Sequence, residues 1–206
     1  MSVIAIDTAA RLAAWVLRTD PAGHILDQRE VPGGQLDARL AGAVAELLDD
    51  TVEAIVVLTG PGSYSGVRAG MAAALGLASA RGVPLHGAGN LLAVAALAAR
   101  AGDGEAIVAV ADAGRGGVYL ARFVARLGRP EQVSEVERHD AATVESSQPL
   151  VATTGIGGLD VRRVDPRSAL AAAVPWALAR PPLMASGLAA THARPARDDG
   201  RADAFN

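Results

Sequence analysis

An apolar strand that ends in aspartate occurs twice in this sequence, half a chain length apart, and this repetition constrains the fold more than any other feature. The two copies occupy residues 3–7 and 107–112, and their aspartates are Asp7 and Asp112. Small residues and an arginine follow each aspartate, before a second apolar segment that carries an aromatic residue. Strand–Asp–turn–strand segments also arise by chance, so coincidence stays open as one interpretation. The other is a duplicated fold, with two similar lobes that face each other across a cleft.

The first hundred residues have the pattern of a ribonuclease-H-like unit. Three apolar segments joined by short turns predict an antiparallel meander, and apolar residues at helical spacing follow. A continuous apolar run then predicts a parallel strand covered on both faces, and Asn90 is a candidate N-cap for a third helix. The predicted strands lie at residues 3–7, 12–18, 25–30 and 54–58, and the predicted helices at residues 35–49, 66–81 and 91–100.

The chain divides into two predicted lobes and a tail. Residues 1–101 form the first lobe, residues 105–193 form a degenerate second lobe, and residues 194–206, rich in Arg and Asp, form a flexible tail. The signals weaken in the second lobe, where residues 149–153 predict a strand and residues 167–174 a short helix.

The composition excludes several classes of chemistry. The chain has no cysteine, and all 19 of its basic residues are arginine. Without lysine, neither a Walker-type phosphate loop nor a Schiff-base enzyme can operate. Without cysteine, there are no thiolate nucleophiles and no Cys-ligated metals. The four histidines stand singly, and there is no G-x-S-x-G nucleophile motif. We therefore expect no catalytic residues, no metal and no cofactor.

Charge and hydropathy favour a cytoplasmic protein. The formal net charge of −3 gives no global basic field that would attract nucleic acid or anionic lipid. The longest strongly apolar stretches fall short of the ~20 residues of a membrane span, and the start of the sequence lacks the basic region of a signal peptide. Any contact with nucleic acid would be local or supplied by a partner.

Two features point to an anion site, and both have a simpler interpretation. Ser63 or Ser65 can cap the helix that follows the Gly- and Pro-rich turn at residues 60–66, and the N–H groups of a helix N-terminus attract anions. A tight structural turn is the other interpretation, and from the residues alone it is the one that we favour. Asp7 and Asp112 lie at predicted strand ends, where they would hold a metal–phosphate pair or cap local turns. The candidate anion- or nucleotide-binding residues are Asp7, Thr8, Ser63, Asp112 and Gly114.

The helix predicted at residues 66–81 is apolar on nearly all sides. Gly66, Gly70, Ala74 and Ala78 form one row at four-residue spacing, although glycine inside a helix costs about 1 kcal/mol relative to alanine. Such a helix needs cover on two sides. Burial within the chain is one interpretation, and a protein interface is the one that we favour.

Three blocks of the sequence resemble the TsaB family, subunits of the bacterial tRNA threonylcarbamoyladenosine machinery. They are residues 5–8 (AIDT), residues 60–70 (GPGSYSGVRAG) and residues 111–119 (ADAGRGGVY). The central block is long and rather specific, and the resemblance covers residues 1 to about 125. It implies an α/β fold of the actin-like (ASKHA) class, with a duplicated ribonuclease-H-like unit, in a degenerate paralogue of the catalytic subunit TsaD.

The resemblance implies a non-catalytic subunit that pairs with TsaD through a helical bundle. The implied partners are a TsaD-like catalytic subunit and a TsaE-like ATPase, with tRNA reached only through the complex. For the isolated chain, an apolar helix that is exposed without its partner suggests a homodimer. The implied partner-interface residues are Leu36, Leu40, Val44, Gly66, Gly70, Met71, Ala74 and Ala78.

Two alternatives stay open, and the sequence also departs from the family pattern. The first alternative is an actin-like or sugar-kinase-like ATP-binding enzyme, in which Asp7, Asp112 and the turn at residues 114–117 would serve Mg²⁺ and phosphates. The second is a peptidase, which the missing nucleophile motif argues against. Residues 34–37 lack the histidine that the family often has, the turn at residues 114–117 is glycine-rich, and residues 192–194 replace the usual Y-L-R.

Overall fold

The computed structural model describes residues 1–99 and 104–183, and the first of these ranges contains one five-stranded sheet, called the first sheet. Its strands lie in the order β3-β2-β1-β4-β5, antiparallel from β3 to β1 and parallel from β1 to β5. The elements are β1 (Ser2–Asp7), β2 (Ala13–Thr19), β3 (Ile25–Pro32), α1 (Leu36–Leu47), β4 (Val52–Leu58), α2 (Tyr64–Arg81), β5 (Leu85–Ala88) and α3 (Asn90–Ala98).

The second sheet repeats this topology. Its main strands lie in the order β8-β7-β6-β10-β11, with β9 also paired to β7, and the antiparallel and parallel pairings match those of the first sheet. The repeated sequence pattern therefore marks a duplicated fold and not a coincidence. The elements are β6 (Ala106–Gly114), β7 (Gly117–Arg126), β8 (Arg129–Gln132), β9 (Glu137–Asp140), β10 (Leu150–Ala152), β11 (Val161–Arg163) and α4 (Pro166–Leu178).

The first sheet is covered on both faces. All six residues of β1 are buried, as expected for a central strand without a solvent face. On one face, α1 and α2 pack over Ile4, Ile6 and Ile55. On the other, α4 packs over Val3, Leu17 and Val56, although α4 follows the second sheet in the chain.

The two halves exchange helices. Leu91, Val94 and Ala98 of α3 pack on the second sheet beside Ile107 and Phe123. Because α4 packs on the first sheet, each sheet is covered by the helix that ends the other half, and α3 and α4 also contact each other. The lobe boundaries at residues 101 and 105 stay a prediction, and the packing does not divide there.

The predicted strands and helices occur in the structure with bounds that differ by at most four residues, and the structure adds β5, β8, β9 and β11. A short 3-10 turn, Gly33–Gln35, precedes α1, and Gly89 is the N-cap of α3. Asn90 is the first residue of α3, so its prediction as an N-cap was wrong. Residue 100 and the predicted tail at residues 194–206 lie outside the described residues. Within the described ranges, no helix is long and apolar enough to cross a membrane.

Candidate functional site

The small-residue row of α2 faces the first sheet, which corrects the predicted partner interface. A Cβ on Gly66 would overlap the backbone of Thr8, and a Cβ on Gly70 would overlap the Thr8 side chain. The Thr8 hydroxyl donates a hydrogen bond to the Gly66 carbonyl oxygen at 2.7 Å. Glycine is therefore needed because the turn after β1 approaches α2 closely.

The other predicted interface residues are also covered by this chain. Leu40 and Val44 of α1 and Met71 of α2 are buried in the cluster above the first sheet, and Leu36 is half-buried against it. Ala74 has no exposed surface and Ala78 very little. The predicted interface was wrong in its choice of helix face, because small residues lie on both sides of α2 and only long-range contacts decide which side faces inward.

The opposite side of α1 and α2, here called the outer face, is exposed and consists mainly of small residues. Among the described residues, no atom lies within 4 Å of a Cβ placed on Gly42 or Gly76. The Arg68 guanidinium lies over the ring of the exposed Tyr64, 5.3 Å from its centroid. The exposed residues of the outer face include Ala38, Ala41, Gly42, Ala45, Tyr64, Arg68, Ala72, Leu75, Gly76 and Ala80.

The aspartate at the end of β1 is buried between the two sheets. Asp7, at the end of β1, is 5% exposed and accepts a hydrogen bond from the Ala9 N–H at 2.9 Å. Burial raises the pKa of Asp7, and hydrogen bonds from Ala9 and the Asn90 side chain oppose that rise. The Asn90 side-chain oxygen also accepts a hydrogen bond from the Gly60 N–H at 2.9 Å. Asn90 thus ties Asp7 to the turn before α2, a long-range role that no local sequence signal could have revealed.

A small cavity lies beside Asp7. It has a volume of about 20 Å³, and its walls include Asn90 from the first half and Ala111, Thr153 and Ala169 from the second. This volume holds about one water molecule. Pockets for small-molecule ligands typically measure about 300–1,000 Å³, so this cavity is far too small for a nucleotide.

Asp112, the counterpart of Asp7, takes part in a contact across the mouth of the cleft. It accepts a hydrogen bond from the Gly114 N–H at 2.7 Å, and its carboxylate lies 3.6 Å from the Arg11 guanidinium. Gly114, Arg115 and Gly116 all have positive φ, in a tight turn between β6 and β7. The glycines predicted as a phosphate turn therefore form a hairpin, and the Arg11 guanidinium lies beside Gly114.

The N-terminus of α2 is covered by the turn that follows β1. The Ser63 N–H donates to the Ala9 carbonyl oxygen at 2.8 Å, and a Cβ on Gly62 would lie 2.7 Å from the Ala9 Cβ. Ser63 is the N-cap, yet its side chain makes no capping hydrogen bond. Although the five predicted anion-site residues lie at the same end of the sheets, polar groups of each one already bond within the chain, and no open anion site is formed by the described residues.

No group of three or more His, Asp or Glu side chains that could hold a metal ion occurs in the described parts of the chain. His24 contacts Asp20, His139 contacts Glu137, and the buried His86 contacts the Arg180 carbonyl. The fourth, His192, lies outside the described residues.

Comparison with known proteins connects this architecture to a family. Residues 38–151, more than half of the chain, match the family model described as TsaD: tRNA N6-adenosine threonylcarbamoyltransferase. The chain belongs to the TsaD family.

Related sequences show that this family member is similar to TsaB. An uncharacterized protein of Mycobacterium leprae is 32% identical over 212 residues, which cover 96% of this chain and 57% of that protein. An uncharacterized protein of Mycobacterium tuberculosis is 32% identical over 207 residues, 94% of each chain. The tRNA threonylcarbamoyladenosine biosynthesis protein TsaB of Escherichia coli is 30% identical over 129 residues, 60% of this chain and 55% of TsaB. The predicted resemblance is confirmed, and this TsaD-family member is TsaB-like.

Solved structures show the same fold. YeaZ from Pseudomonas aeruginosa superimposes with a TM-score of 0.69 and 23% identity, over 91% of this chain and 98% of YeaZ. A polyphosphate/ATP-glucomannokinase from Arthrobacter gives a TM-score of 0.52 with 13% identity, over 86% of this chain and 98% of the kinase. At these identities the likeness concerns the fold alone, and it confirms the predicted two-lobed, actin-like class.

Proposed function

We propose that this TsaB-like chain is a non-catalytic subunit that binds a TsaD-like threonylcarbamoyltransferase and supports its action on tRNA adenosine. Membership of the TsaD family and the match to E. coli TsaB support the biosynthetic role. The chain spans 57% of the length of its M. leprae relative. The role is therefore proposed for this chain and not for that longer protein.

The small volume of the cavity beside Asp7 supports the non-catalytic part of the proposal. In a two-lobed fold the cleft is where a nucleotide would bind, yet the cavity beside Asp7 is about one water molecule in size. Arg11 bridges to Asp112 at the mouth of this cleft. A subunit with this cleft requires a partner to supply the chemistry. The alternative of an ATP-binding enzyme has no supporting contact among the described residues.

The two glycines of the outer face carry the proposal of a partner. Glycine within a helix costs about 1 kcal/mol relative to alanine. No contact among residues 1–99 and 104–183 requires glycine at Gly42 or Gly76, because these residues leave the space beside each one open. Small residues allow two helices to pack closely. Tyr64, Arg68 and Leu75 supply larger side chains at the same face, and Tyr and Arg are typical anchors of protein interfaces. The outer face therefore fits the helices of a second protein.

Assembly with the TsaD-like subunit of the same organism tests this face. We expect Gly42→Leu and Gly76→Leu to weaken the complex by about thirtyfold or more, measured by calorimetry, because a bulky side chain would hold the partner helices apart. Gly155→Leu is the matched control, since Gly155 is exposed in a loop of the second half, with open space around it.

Two outcomes would contradict the proposal. One is a wild-type chain that fails to bind the TsaD-like subunit and adds nothing to reconstituted tRNA threonylcarbamoylation. The other is turnover by the pure chain, or ATP binding that Asp112→Ala abolishes, either of which would favour the enzyme alternative.

The wider assembly follows from the same proposal. A TsaE-like ATPase joins the TsaD-bound complex, tRNA is reached through that complex, and the isolated chain pairs with a second copy through the outer face. These steps take place in the cytoplasm. Light scattering of the chain with and without the TsaD-like subunit checks the exchange of partners, because both partners are expected to compete for the outer face.

A further inference from the structure

A short segment after α4 crosses the edge of the first sheet from one face to the other. At its start, the Arg180 carbonyl oxygen accepts a hydrogen bond from the ring Nδ1 of His86 at 3.1 Å. At its end, the Leu183 N–H donates to the Leu85 carbonyl oxygen at 2.7 Å. Neighbouring residues of β5 face opposite sides of the sheet: Ala88 packs with α4 and Leu85 packs with α2. The segment therefore wraps around β5.

The side chain of Leu183 fits a place that Gly87 leaves open. A Cβ on Gly87 would lie 2.6 Å from Leu183 Cδ1 and 3.0 Å from Thr59 Cγ2. Leu183 joins the apolar cluster that contains Met71 and Ala78 of α2. Two consecutive prolines, Pro181 and Pro182, restrict the backbone before it, which lowers the entropy lost when the segment is held.

This contact matters because most buried residues of α2 are small. They are Gly66, Val67, Gly70, Met71, Ala74 and Ala78, and glycine and alanine bury little apolar surface. Leu183 therefore adds a large apolar side chain at the sheet edge to those of Val67 and Met71.

We propose that residues 180–183 form a clasp that fixes α2 on the first sheet and thereby keeps the outer face in the arrangement that a partner binds. The claim about the outer face and its partner rests on the proposed function. The claim that the clasp fixes α2 concerns the isolated chain only. The clasp joins the helix layer of the first half to the end of α4, so release of the clasp would free α2 without unfolding the second sheet.

A double-mutant cycle on the full-length chain tests the contact. We expect Leu183→Ala to raise the equilibrium constant of unfolding about tenfold or more. Gly87→Ala should raise it in the wild-type background, because the new methyl group displaces Leu183, and should raise it less in the Leu183→Ala background. The contact between residue 87 and Thr59 is present in both backgrounds and cancels. If Gly87→Ala changes the equilibrium constant of unfolding by the same factor in both backgrounds, the clasp is overturned.

Hydrogen exchange in the isolated chain separates local release from general instability. Leu183→Ala should speed the exchange of amides in β5 and α2 about tenfold more than that of amides in β6 and β7. Leu159→Ala is the control, since Leu159 is a partly buried leucine packed on the second sheet. Uniform acceleration across both sheets in Leu183→Ala would overturn the proposal.

Affinity for the TsaD-like subunit tests the claim that the clasp controls the outer face. Leu183→Ala should weaken binding about tenfold, with Leu159→Ala unchanged. Faster hydrogen exchange in Leu183→Ala with unchanged affinity for the TsaD-like subunit would show that the clasp holds α2 without controlling the outer face. That result would overturn the claim about the outer face. A wild-type chain that does not bind at all would defeat the proposed function, while the exchange result would still decide the clasp.

Discussion

The two sheets share a strand order but differ in what covers them. One face of the first sheet lies under two long helices, α1 and α2. The corresponding face of the second sheet lies under a 3-10 turn, Ala141–Thr143, and under apolar residues of the connecting segments. These covering residues are Ala141, Val144, Ile156 and Leu159.

The difference shows which parts of the duplicated unit are common to both halves and which occur in one half of the described chain. Strand order and the central buried strand are kept in both halves, whereas loop residues replace the helix pair in the second half. Short loops bury Val108, Val118 and Leu120 as completely as helices would. A helical outer face therefore occurs once among the described residues, and we expect one partner at that face and not two.

The first prediction breaks the two halves apart and has the largest expected effect. A chain that ends at residue 99 should not fold cooperatively, because α4 would no longer cover Val3, Leu17 and Val56. The whole free energy of unfolding, typically about 5–15 kcal/mol, would be lost. Circular dichroism during thermal unfolding is the measurement. Co-expression of residues 1–103 with residues 104–206 should restore folding, and a cooperative transition in the short chain alone would contradict the exchange of helices.

The second prediction compares the two sides of α2. Gly70→Leu should destabilise the chain by about 3 kcal/mol or more, because the new side chain must displace Thr8. Gly76→Leu is the matched control at the outer face and should change the free energy of unfolding by about 1 kcal/mol at most. Denaturant unfolding measures both. Equal changes in the free energy of unfolding would contradict the assignment of Gly70 to the inner side of α2 and of Gly76 to the outer face.

The third prediction concerns Asp7, which is buried where its counterpart Asp112 is partly exposed. Because burial raises the pKa of Asp7 above 3.8, the folded chain binds the proton more tightly than the unfolded chain. The resulting stability is fully present below about pH 4 and is lost as the pH rises through the folded-state pKa. The loss amounts to about 1.4 kcal/mol for each pH unit between the two pKa values.

Asp7→Asn should remove this dependence on pH. The free energy of unfolding of the wild type should rise relative to that of the variant when the pH is lowered from 8 towards 4. At pH 8 the variant should therefore be most stable relative to the wild type. Denaturant unfolding at several pH values measures the difference. A constant difference between the two proteins over this range would contradict the described burial of the carboxylate.

The strand framework was predictable from the sequence because its signals are local. The echo of Asp7 in Asp112 predicts the duplication, and the continuous apolar run of β4 predicts a parallel strand buried on both faces. The predicted end of α2 at residue 81 agrees with the structure, where Gly82 with its positive φ ends the helix, whereas the predicted start at residue 66 lies two residues after Tyr64.

The site was less predictable because distant contacts decide it. Small residues occupy both sides of α2, so helical spacing alone could not show that Gly70 faces Thr8 and Gly76 faces solvent. Asn90 matches the pattern of an N-cap, yet its side chain reaches Gly60, thirty residues earlier in the chain. Sequence spacing contains no information about such pairs until the fold has brought them together.

The exchange of α3 and α4 between the sheets also sets a rule for building chimaeras from related proteins. A crossover placed in the linker between the halves would combine a helix from one parent with a sheet from the other, because α3 packs on the second sheet and α4 on the first. A crossover before Asn90, joined to a second crossover before Pro166, would keep each sheet with the helix that covers it. The inheritable units of this protein are therefore discontinuous in sequence, and its evolution by recombination is correspondingly restricted.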